Sequence, residues 1–414
     1  MREEAGVAVL SRPAARSARI ETREAVERDR LTTPLLVTMA AACALGIANL
    51  NYSQPLLGQM QRSLHTSIRA VGSLPMLTQV GFAVGVLFLA PLGDILERRR
   101  LILAMLALVT ISLAAAALAP SLPFLCGASL AIGVTSVIST LVLPFAVYLS
   151  QPDQRGRTVG TIAASMLIGL LLSRTISGIV GQAFGWRVMY GVAAGTMIVL
   201  ALVLKALLPR SRPASAMSYG SLIRSTLGHI RTEPVLRAAT LNGMLLYAAL
   251  CAFWATLVFL VESPSYRMGS AQAGLFGLLG AISALAAPFV GRLADRHSPR
   301  MLVGVASLVM LAGFVFLAVA GAHLAGLLAG IVLLDVGAQS ATISNQASVY
   351  SLAEEAHSRL YTVYRAGYSL GGSVGAFLGV YAWSIRQWAG VCAVGISLVT
   401  VALLVHLRTS RAQR

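Results

Sequence analysis

The chain has 414 residues, of which 57% are hydrophobic and only 11% are charged, and it carries a formal net charge of +17. Soluble domains contain about a quarter charged residues, so this composition excludes a water-soluble enzyme and a disordered protein. The apolar runs are long and continuous rather than alternating, which also excludes a transmembrane β-barrel.

Apolar runs occupy most of the chain and are separated by short polar breaks. A helix needs roughly 20 apolar residues to cross the hydrocarbon core of a bilayer. The sequence therefore predicts an all-α membrane protein with twelve transmembrane helices, which cover residues 34–54, 71–92, 101–119, 123–149, 158–182, 188–208, 238–261, 270–293, 301–320, 323–349, 360–383 and 388–406.

Polar segments divide these helices into two groups. The longest internal break contains several prolines, which favour turns. The predicted organisation is a polar cytoplasmic tail, a six-helix bundle, a cytoplasmic linker, a second six-helix bundle and a short cytoplasmic tail, at residues 1–32, 33–208, 209–237, 238–407 and 408–414.

Basic residues at the ends of the apolar runs indicate the orientation. Arginine and lysine prefer cytoplasmic loops, and with both termini inside they favour the inner side by roughly five to one. We therefore expect a multi-pass protein of the bacterial inner (cytoplasmic) membrane. No aromatic residues alternate with the arginines in a basic groove, so we expect no nucleic-acid partner.

The two predicted bundles share polar markers at matching positions. Tyr148 and Arg157 in the first bundle have counterparts at the same spacing in Tyr350 and Arg359 of the second. Two bundles in the same orientation imply a pseudo-two-fold axis along the membrane normal, with a substrate site between them near mid-membrane.

Two loops carry a recognisable motif. Residues 90–100 read Ala-Pro-Leu-Gly-Asp-Ile-Leu-Glu-Arg-Arg-Arg, and residues 291–300 read Gly-Arg-Leu-Ala-Asp-Arg-His-Ser-Pro-Arg. Both resemble the Gly-x-x-x-Asp-Arg-x-Gly-Arg-Arg loop motif of the major facilitator superfamily. The resemblance implies a cytoplasmic gate, for which the candidates are Asp94, Arg98, Asp295 and Arg296; a purely structural role for the loops is the alternative.

Other segments resemble the bacterial drug:proton antiporter group of that superfamily. They are Ala48-Asn49-Leu50-Asn51-Tyr52-Ser53-Gln54-Pro55, Gly185-Trp186-Arg187 and Ile343-Ser344-Asn345-Gln346. The resemblance implies export of a small organic molecule against inward proton flow. The chain departs from the pattern in helix 5, where Arg174 replaces a motif proline, and in helix 4, where Ser129 replaces a motif arginine.

One acidic residue, Asp335, lies in the middle of a predicted span. A charge at this depth is costly and usually faces a cavity or a partner. Gln339, Thr342 and Gln346 follow at spacings that place all four side chains on one helix face. The stripe predicts a cavity lining with Asp335 as the proton-coupling candidate; the alternative is a structural ion pair with Arg174 or Arg365.

Further candidates for the substrate cavity are cations, amides and aromatic residues within the spans. Arg174 is a candidate for an anionic substrate group, and Arg365 either contacts substrate or extends to the cytoplasmic interface. The aromatic stripes serve either packing or ligand contact. The remaining candidates are Asn49, Tyr52, Gln54, Tyr247, Trp254, Tyr364 and Tyr368.

The sequence contains no nucleotide-binding glycine loop, no metal-ligand spacing and no nucleophile–base set, so we expect neither an enzyme nor a cofactor. The prediction is a monomeric secondary transporter. Its expected partners are a small-molecule substrate, protons as the coupling ion and the lipid bilayer. The alternatives are an importer or facilitator of an organic acid or metabolite, and a membrane receptor or scaffold that does not transport.

Overall fold

The computed structural model describes residues 31–210, 218–283, 285, 292, 298–352 and 357–412, without the side chains of 357–358 and 410–412. Every regular element within these ranges is a helix, which confirms the predicted all-α class. Almost all of the predicted tail 1–32 lies outside the described residues, as do Asp295 and Arg296 of the predicted gate.

The amino-terminal half, residues 33–208, is built from long helices joined by short ones. Its helices are α1 (Thr33–Ala48), α2 (Leu57–Ser63), α3 (Ile68–Val71), α4 (Ser73–Phe88), α5 (Leu92–Ile95), α6 (Arg98–Ala117), α7 (Leu122–Thr135), α8 (Ile138–Leu149), α9 (Arg155–Phe184) and α10 (Trp186–Leu207).

The remainder of the chain contains the predicted linker and the carboxy-terminal half, residues 238–412. The described helices there are α11 (Tyr219–Thr232), α12 (Pro234–Val261), α13 (Ser270–Leu275), α14 (Pro299–Ala320), α15 (Leu324–Tyr350) and α16 (His357–Ala412).

Nine helical stretches among the described residues are long and apolar enough to cross a membrane. Two shorter apolar stretches, Thr33–Ala48 and Ser270–Ser283, fall within the first and eighth predicted spans. The eighth span continues outside the described residues, and the eleventh and twelfth belong to one helical element, α16.

The first predicted span ends earlier than its apolar run. Helix α1 stops at Ala48, and a 3-10 turn follows at Gln54–Leu56. Polar side chains donate hydrogen bonds to main-chain carbonyls here. Asn51 Nδ2 donates to Ile47 O at 2.9 Å, and Ser177 Oγ of α9 donates to Tyr52 O at 2.6 Å. These bonds replace part of the ladder that a continued helix would supply.

Helix α16 is broken at the point where the sequence predicts a loop between two spans. Arg386 has φ −131° and Gln387 has φ 46° with ψ −134°, and Trp388 follows. The matching point of the amino-terminal half is Gly185, with φ 88°, between α9 and α10, and Trp186 follows it. A turn with positive φ therefore occurs at the matching point of both halves, with glycine in one and glutamine in the other.

Small residues bring equivalent helices into close contact in the two halves. A Cβ on Gly169 of α9 would collide with the Ala44 backbone of α1, and a Cβ on Gly371 of α16 would collide with the Met244 backbone of α12. The pair α1–α9 thus has its counterpart in α12–α16, which supports the predicted repeat.

The predicted linker contains a helix that the sequence analysis did not anticipate. Helix α11 begins after Ser218, whose side chain accepts from Ser221 N at 3.4 Å as an N-cap. Leu222 and Thr226 are buried, whereas most of the other face is exposed. Amphipathicity of this kind lets the helix lie along the surface of the bundle.

Candidate functional site

Two ends of the molecule differ in how the halves meet. We call them the Arg62 face, defined by Arg62 and Glu262, and the Asp94 face, defined by Asp94, Arg98 and Arg359. The halves contact each other through α4 against α16 and α9 against α13. The space between them is therefore bounded by these two helix pairs.

Polar bonds join the halves at the Arg62 face. Arg62 Nη1 lies 2.7 Å from Glu262 Oε2, and its Nη2 lies 3.3 Å from Oε1. The hydrogen bonds to Glu262 raise the pKa of the Arg62 guanidinium above its ordinary value. Gln59 Nε2 also donates to Ser270 Oγ at 2.8 Å. This face is closed in the structure.

Helices α9 and α13 approach closely just inside that face. A Cβ on Gly178 would collide with Ser270 O, and a Cβ on Gly274 would collide with Arg174 O. Thr175 Oγ1 donates to Gly274 O at 3.1 Å across the same contact. The small residues leave no space for a ligand between these two helices.

A cavity of about 240 Å³ lies between the halves on the side of the Asp94 face. Both halves and helix α11 contribute to its wall. The polar lining comprises Asp94, Arg98, Ser139, Thr140, Thr226, Tyr350, Arg359, Tyr361, Thr362 and Arg365. The apolar lining includes Val86, Leu141, Leu143, Pro144, Met166 and Leu222. We call this cavity the chamber.

Arg98 and Arg359 of the chamber wall have polar partners at its mouth. Arg98 Nε donates to Gly93 O at 3.2 Å, and its Nη2 lies 3.8 Å from Asp94 Oδ1. Arg359 Nη1 donates to Ser225 Oγ of α11 at 2.8 Å. The predicted gate residues Asp94 and Arg98 thus line the chamber together.

Arg365 differs from these two arginines in making only ring contacts among the described residues. Its Cζ lies 5.4 Å from the ring centroids of both Phe82 and Tyr368. Among the described residues, no carboxylate forms an ion pair with it. Cation–π contacts contribute about 0.5–2 kcal/mol each, whereas desolvating a charge costs several kcal/mol. The half-buried guanidinium therefore still favours a further polar or anionic contact on its chamber side.

The central cluster, formed by Gln54, Arg174, Trp254 and Asp335, lies deeper in the interface. Trp254 Nε1 donates to Asp335 Oδ1 at 3.4 Å, and Arg174 Cζ lies 3.9 Å from the centroid of the same indole. Arg174 Nε donates to Gln54 Oε1 at 2.8 Å. Arg174 and Asp335 form no direct ion pair, and Trp254 contacts both of them.

A glycine-containing turn of the carboxy-terminal half borders this cluster. A Cβ on Gly277 would lie 3.1 Å from Arg174 Cβ, and one on Gly280 would lie 3.4 Å from Asp335 Oδ2. A larger side chain at Gly277 would therefore press on Arg174, whereas one at Gly280 would first collide with the side chain of Leu171.

A second polar group crosses the interface beside the cluster. Gln79 Nε2 of the amino-terminal half donates to Tyr247 Oη at 3.1 Å. Tyr247 stacks on Tyr368 with ring centroids 3.9 Å apart, and Tyr368 Oη lies 3.3 Å from Thr342 Oγ1. Tyrosines of α12 and α16 thereby connect the Asp335 helix, α15, to the opposite half.

Three separate spaces contain most of the predicted cavity residues. Arg365 lines the chamber; Gln54, Arg174 and Trp254 border a small space near the Arg62 face; Tyr247, Thr342 and Tyr368 border a third. The structure does not bring Arg174 and Arg365 into one cavity.

The other predicted residues do not line these spaces. Asn49 Nδ2 points to Met197 Sδ at 3.8 Å, inside the amino-terminal half, and Tyr52 is buried. Tyr364 is fully buried beside Gly243. Gln339 and Gln346 are half-buried on α15.

Sequence reasoning missed several residues that the site contains. Gln79 was the only amide in the predicted span 71–92, and that isolation was an available signal. Tyr350 and Arg359 were noted as repeat markers, and both line the chamber. Phe82 carried no signal, since a phenylalanine in an apolar span is ordinary.

Known membrane transporters are similar to this chain over most of its length. The family model described as Major Facilitator Superfamily matches residues 35–376 and 266–414. The uncharacterized transporter YgaY of Escherichia coli O157:H7 is 34% identical over 378 residues, which are 91% of this chain and 96% of that protein. The Probable transporter SCO4007 of Streptomyces coelicolor is 31% identical over 366 residues, 88% of this chain and 84% of that protein.

A solved structure shares the fold. The bacterial homologue of the human lysosomal transporter Spinster, in an inward-facing and unoccupied conformation, superposes with a TM-score of 0.73 at 14% sequence identity, covering 91% of this chain and 96% of that one. Fold, chamber and relatives together define a multi-pass membrane transporter of small molecules. The chain belongs to the Major Facilitator Superfamily.

Proposed function

We propose that this protein is a secondary active transporter that exports a small organic molecule by alternating access, with proton antiport as its energy source. This assignment follows the drug:proton antiporter group that its motifs resemble. The observation that carries it is the position of Asp335, a carboxyl group at the interface of the two halves that shares Trp254 with Arg174.

The proposed proton step uses the contacts of the central cluster. When Asp335 is charged, its carboxylate attracts both the Trp254 N–H and the Arg174 guanidinium. Protonation removes that attraction, while Gln54 and the indole face continue to hold Arg174. Because Asp335 is on α15 and Arg174 is on α9, gain or loss of the proton changes the force between the halves.

The proposed orientation places the Asp94 face in the cytoplasm. Arg98, Arg99 and Arg100 stand at this end of the bundle, as the preference of basic residues for cytoplasmic loops requires. Both termini are then cytoplasmic, the membrane is the bacterial inner membrane, and the chamber faces inward while the Arg62 face is closed. We propose that the protein works as a monomer, with residues 33–208 and 238–407 as the moving bundles.

Transport assays in proteoliposomes test the proton step. The probes are radiolabelled aromatic acids, amides and amines, assayed for counterflow and for accumulation driven by a pH gradient. We expect Asp335→Asn to reduce gradient-driven accumulation to the level of empty liposomes while counterflow of the same probe continues, because exchange needs no net proton movement.

The matched control is Asp153→Asn, which alters an exposed carboxylate in the turn before α9 and should behave as wild type. Full gradient-driven accumulation by Asp335→Asn would exclude that residue as the proton carrier. If wild type shows no flux or counterflow with any probe, the receptor or scaffold alternative is favoured instead.

Uptake or facilitated diffusion of an organic acid is a second candidate function. The arginines in the chamber wall favour it, since they suit an anionic substrate. Right-side-out and inverted membrane vesicles distinguish the two directions. An acidic exterior should drive accumulation in right-side-out vesicles for an importer, whereas an acidic interior should drive it in inverted vesicles for the proposed exporter.

A further inference from the structure

We propose that the chamber is a binding site for small organic anions with an aromatic or apolar body, and that Arg365 recognises their negative charge. The inference rests on the proposed function in taking the chamber as the place where substrate binds. It goes further by assigning the chemical class of that substrate and the residue that selects it.

The chamber wall contains several charged side chains. Three arginines and one aspartate line it, so the described wall has an excess of positive charge. Asp94 lies beside Arg98 at the mouth, 3.8 Å from its guanidinium. Arg359 donates to Ser225. A ligand anion in the chamber would therefore encounter positive potential at its inner end, where Arg365 stands.

The contacts of Arg365 make it the recognition residue. Phe82 and Tyr368 lie against its guanidinium at 5.4 Å. These ring contacts use none of the guanidinium N–H groups as hydrogen-bond donors, so the donors are available to a ligand in the chamber. A guanidinium held in this way can bind a carboxylate through two parallel hydrogen bonds, which a single ammonium cannot do.

The remainder of the wall fits the body of such a ligand. Met166, Leu141 and Pro144 supply an apolar surface, and Tyr350 and Tyr361 stack on each other with ring centroids 5.5 Å apart. Thr140 and Thr226 provide a few hydroxyl groups. A pocket that combines apolar and aromatic surface with placed polar groups is typical of a small-molecule site.

Arg174 is excluded as the first anion contact in this state. Its guanidinium is occupied by Gln54 and the Trp254 ring, and it borders a small space separate from the chamber. An anion reaching the interface from the Asp94 face therefore meets Arg365 without access to Arg174.

Equilibrium binding to the purified full-length protein in detergent tests the proposal. The probes are benzoate and 2-naphthoate, each paired with its neutral amide, and benzylamine as the cation. We expect each carboxylate to bind wild type at least ten times more tightly than its amide. Arg365→Gln should weaken carboxylate binding roughly 10- to 100-fold and leave amide binding unchanged, as loss of a charge-assisted pair predicts.

Two further variants provide controls. Arg365→Lys keeps the charge but loses the planar fork, so carboxylate affinity should fall between wild type and Arg365→Gln. Arg155→Gln removes an exposed arginine from the start of α9 and should leave all affinities unchanged. Size-exclusion profiles and thermal unfolding confirm that each variant is folded.

Three outcomes would overturn the anion site: equal binding of carboxylates and amides, a carboxylate preference that survives in Arg365→Gln, or no binding of any probe to folded wild type. The proposed function fails in a different way. Carboxylate binding that depends on Arg365, without flux in proteoliposomes, would retain the site and reject transport. Flux of amines or amides, without carboxylate binding, would retain transport and reject the site.

Discussion

Trp254 shows at the scale of single residues how the interface keeps two opposite charges near each other without pairing them. Its indole N–H is directed at Asp335, and its ring face lies against Arg174. The negative face and positive edge of an aromatic system suit these two neighbours. The carboxyl and the guanidinium are therefore connected through a shared side chain and not through a direct ion pair.

The sequence could identify the members of this cluster but not their connection. Depth within a span singled out Asp335 and Arg174, and helical spacing grouped Thr342 with Asp335. The choice between an ion pair and a shared partner depends on the rotation of α9, α12 and α15 about their axes. Helical periodicity within one segment does not contain that information, since it gives the faces of each helix but not their neighbours.

Gln387 offers a prediction at the same scale. Its φ of 46° with ψ −134° is a backbone conformation that glycine adopts readily and other residues at a cost. The equivalent turn in the amino-terminal half uses Gly185. We expect Gln387→Gly to raise the free energy of unfolding by about 1–2 kcal/mol through relief of strain.

Thermal unfolding in detergent, followed by intrinsic fluorescence, measures this effect. Gln387→Ala is the control, because it removes the side chain while keeping the Cβ that causes the strain. An unchanged or lower midpoint for Gln387→Gly, or an equal gain for Gln387→Ala, would contradict the explanation.

At the scale of helices, hydropathy predicted most of the elements, and the departures have local causes. Helix α1 ends early because the Asn51 amide and the Ser177 hydroxyl of α9 donate hydrogen bonds to main-chain carbonyls near its end. Helix α11 was missed because prolines and charges made residues 209–237 resemble a linker. Its buried residues, Leu222 and Thr226, occupy one face of an otherwise polar segment.

Close contacts at glycine provide a prediction for helix packing. Gly371 of α16 lies directly against the Met244 backbone of α12, so a branched side chain there must separate the two helices. We expect Gly371→Val to lower the free energy of unfolding by about 1–3 kcal/mol or more, as overpacking does elsewhere.

The matched control for this change is Gly195→Ala in α10, where an added Cβ would meet nothing within 4 Å. Alanine is the better helix former, so this variant should be neutral or more stable by about 0.5–1 kcal/mol. Thermal unfolding of both variants decides the matter: equal midpoints would show that the α12–α16 contact can adjust without cost.

At the scale of the whole molecule, the ends of the two bundles are held together by side chains far apart in sequence. Arg62 follows the first long helix, and Glu262 follows α12, its counterpart in the second half. Both residues lie outside the predicted spans, and no sequence pattern indicates that they meet. This ion pair forms in one relative position of the two bundles. Hydropathy and residue spacing along the chain do not predict that relative position.

Reversing the charge at Arg62 should change the equilibrium between the closed and open conformations of the Arg62 face. Arg62 is 60% exposed and its ion pair is therefore worth roughly 0.2–1 kcal/mol, so Arg62→Glu, which places two acids together, should shift the equilibrium away from closure of the Arg62 face by about two- to fivefold. The double variant Arg62→Glu/Glu262→Arg should restore the wild-type distribution.

Spin labels at Ser63 and Ser265, in a background without native cysteines, report the distance across this face by double electron–electron resonance. Arg62→Glu should increase the population of long distances, and raised salt should reduce the difference from wild type. Identical distributions in wild type and Arg62→Glu would mean that closure of this face does not depend on the Arg62–Glu262 ion pair.

Helix α11 has a consequence for hybrid proteins assembled from two relatives. Tyr219 Oη donates to the main-chain carbonyl of Phe88 at 2.8 Å, a group that any residue supplies, whereas Ser225 receives its hydrogen bond from the side chain of Arg359. The hydrogen bond to the first bundle thus does not depend on which residue occupies position 88. The hydrogen bond from the second bundle requires the side chain of Arg359. In a chimaera, α11 should be inherited with the carboxy-terminal bundle, so the crossover belongs before Tyr219 rather than after Thr232.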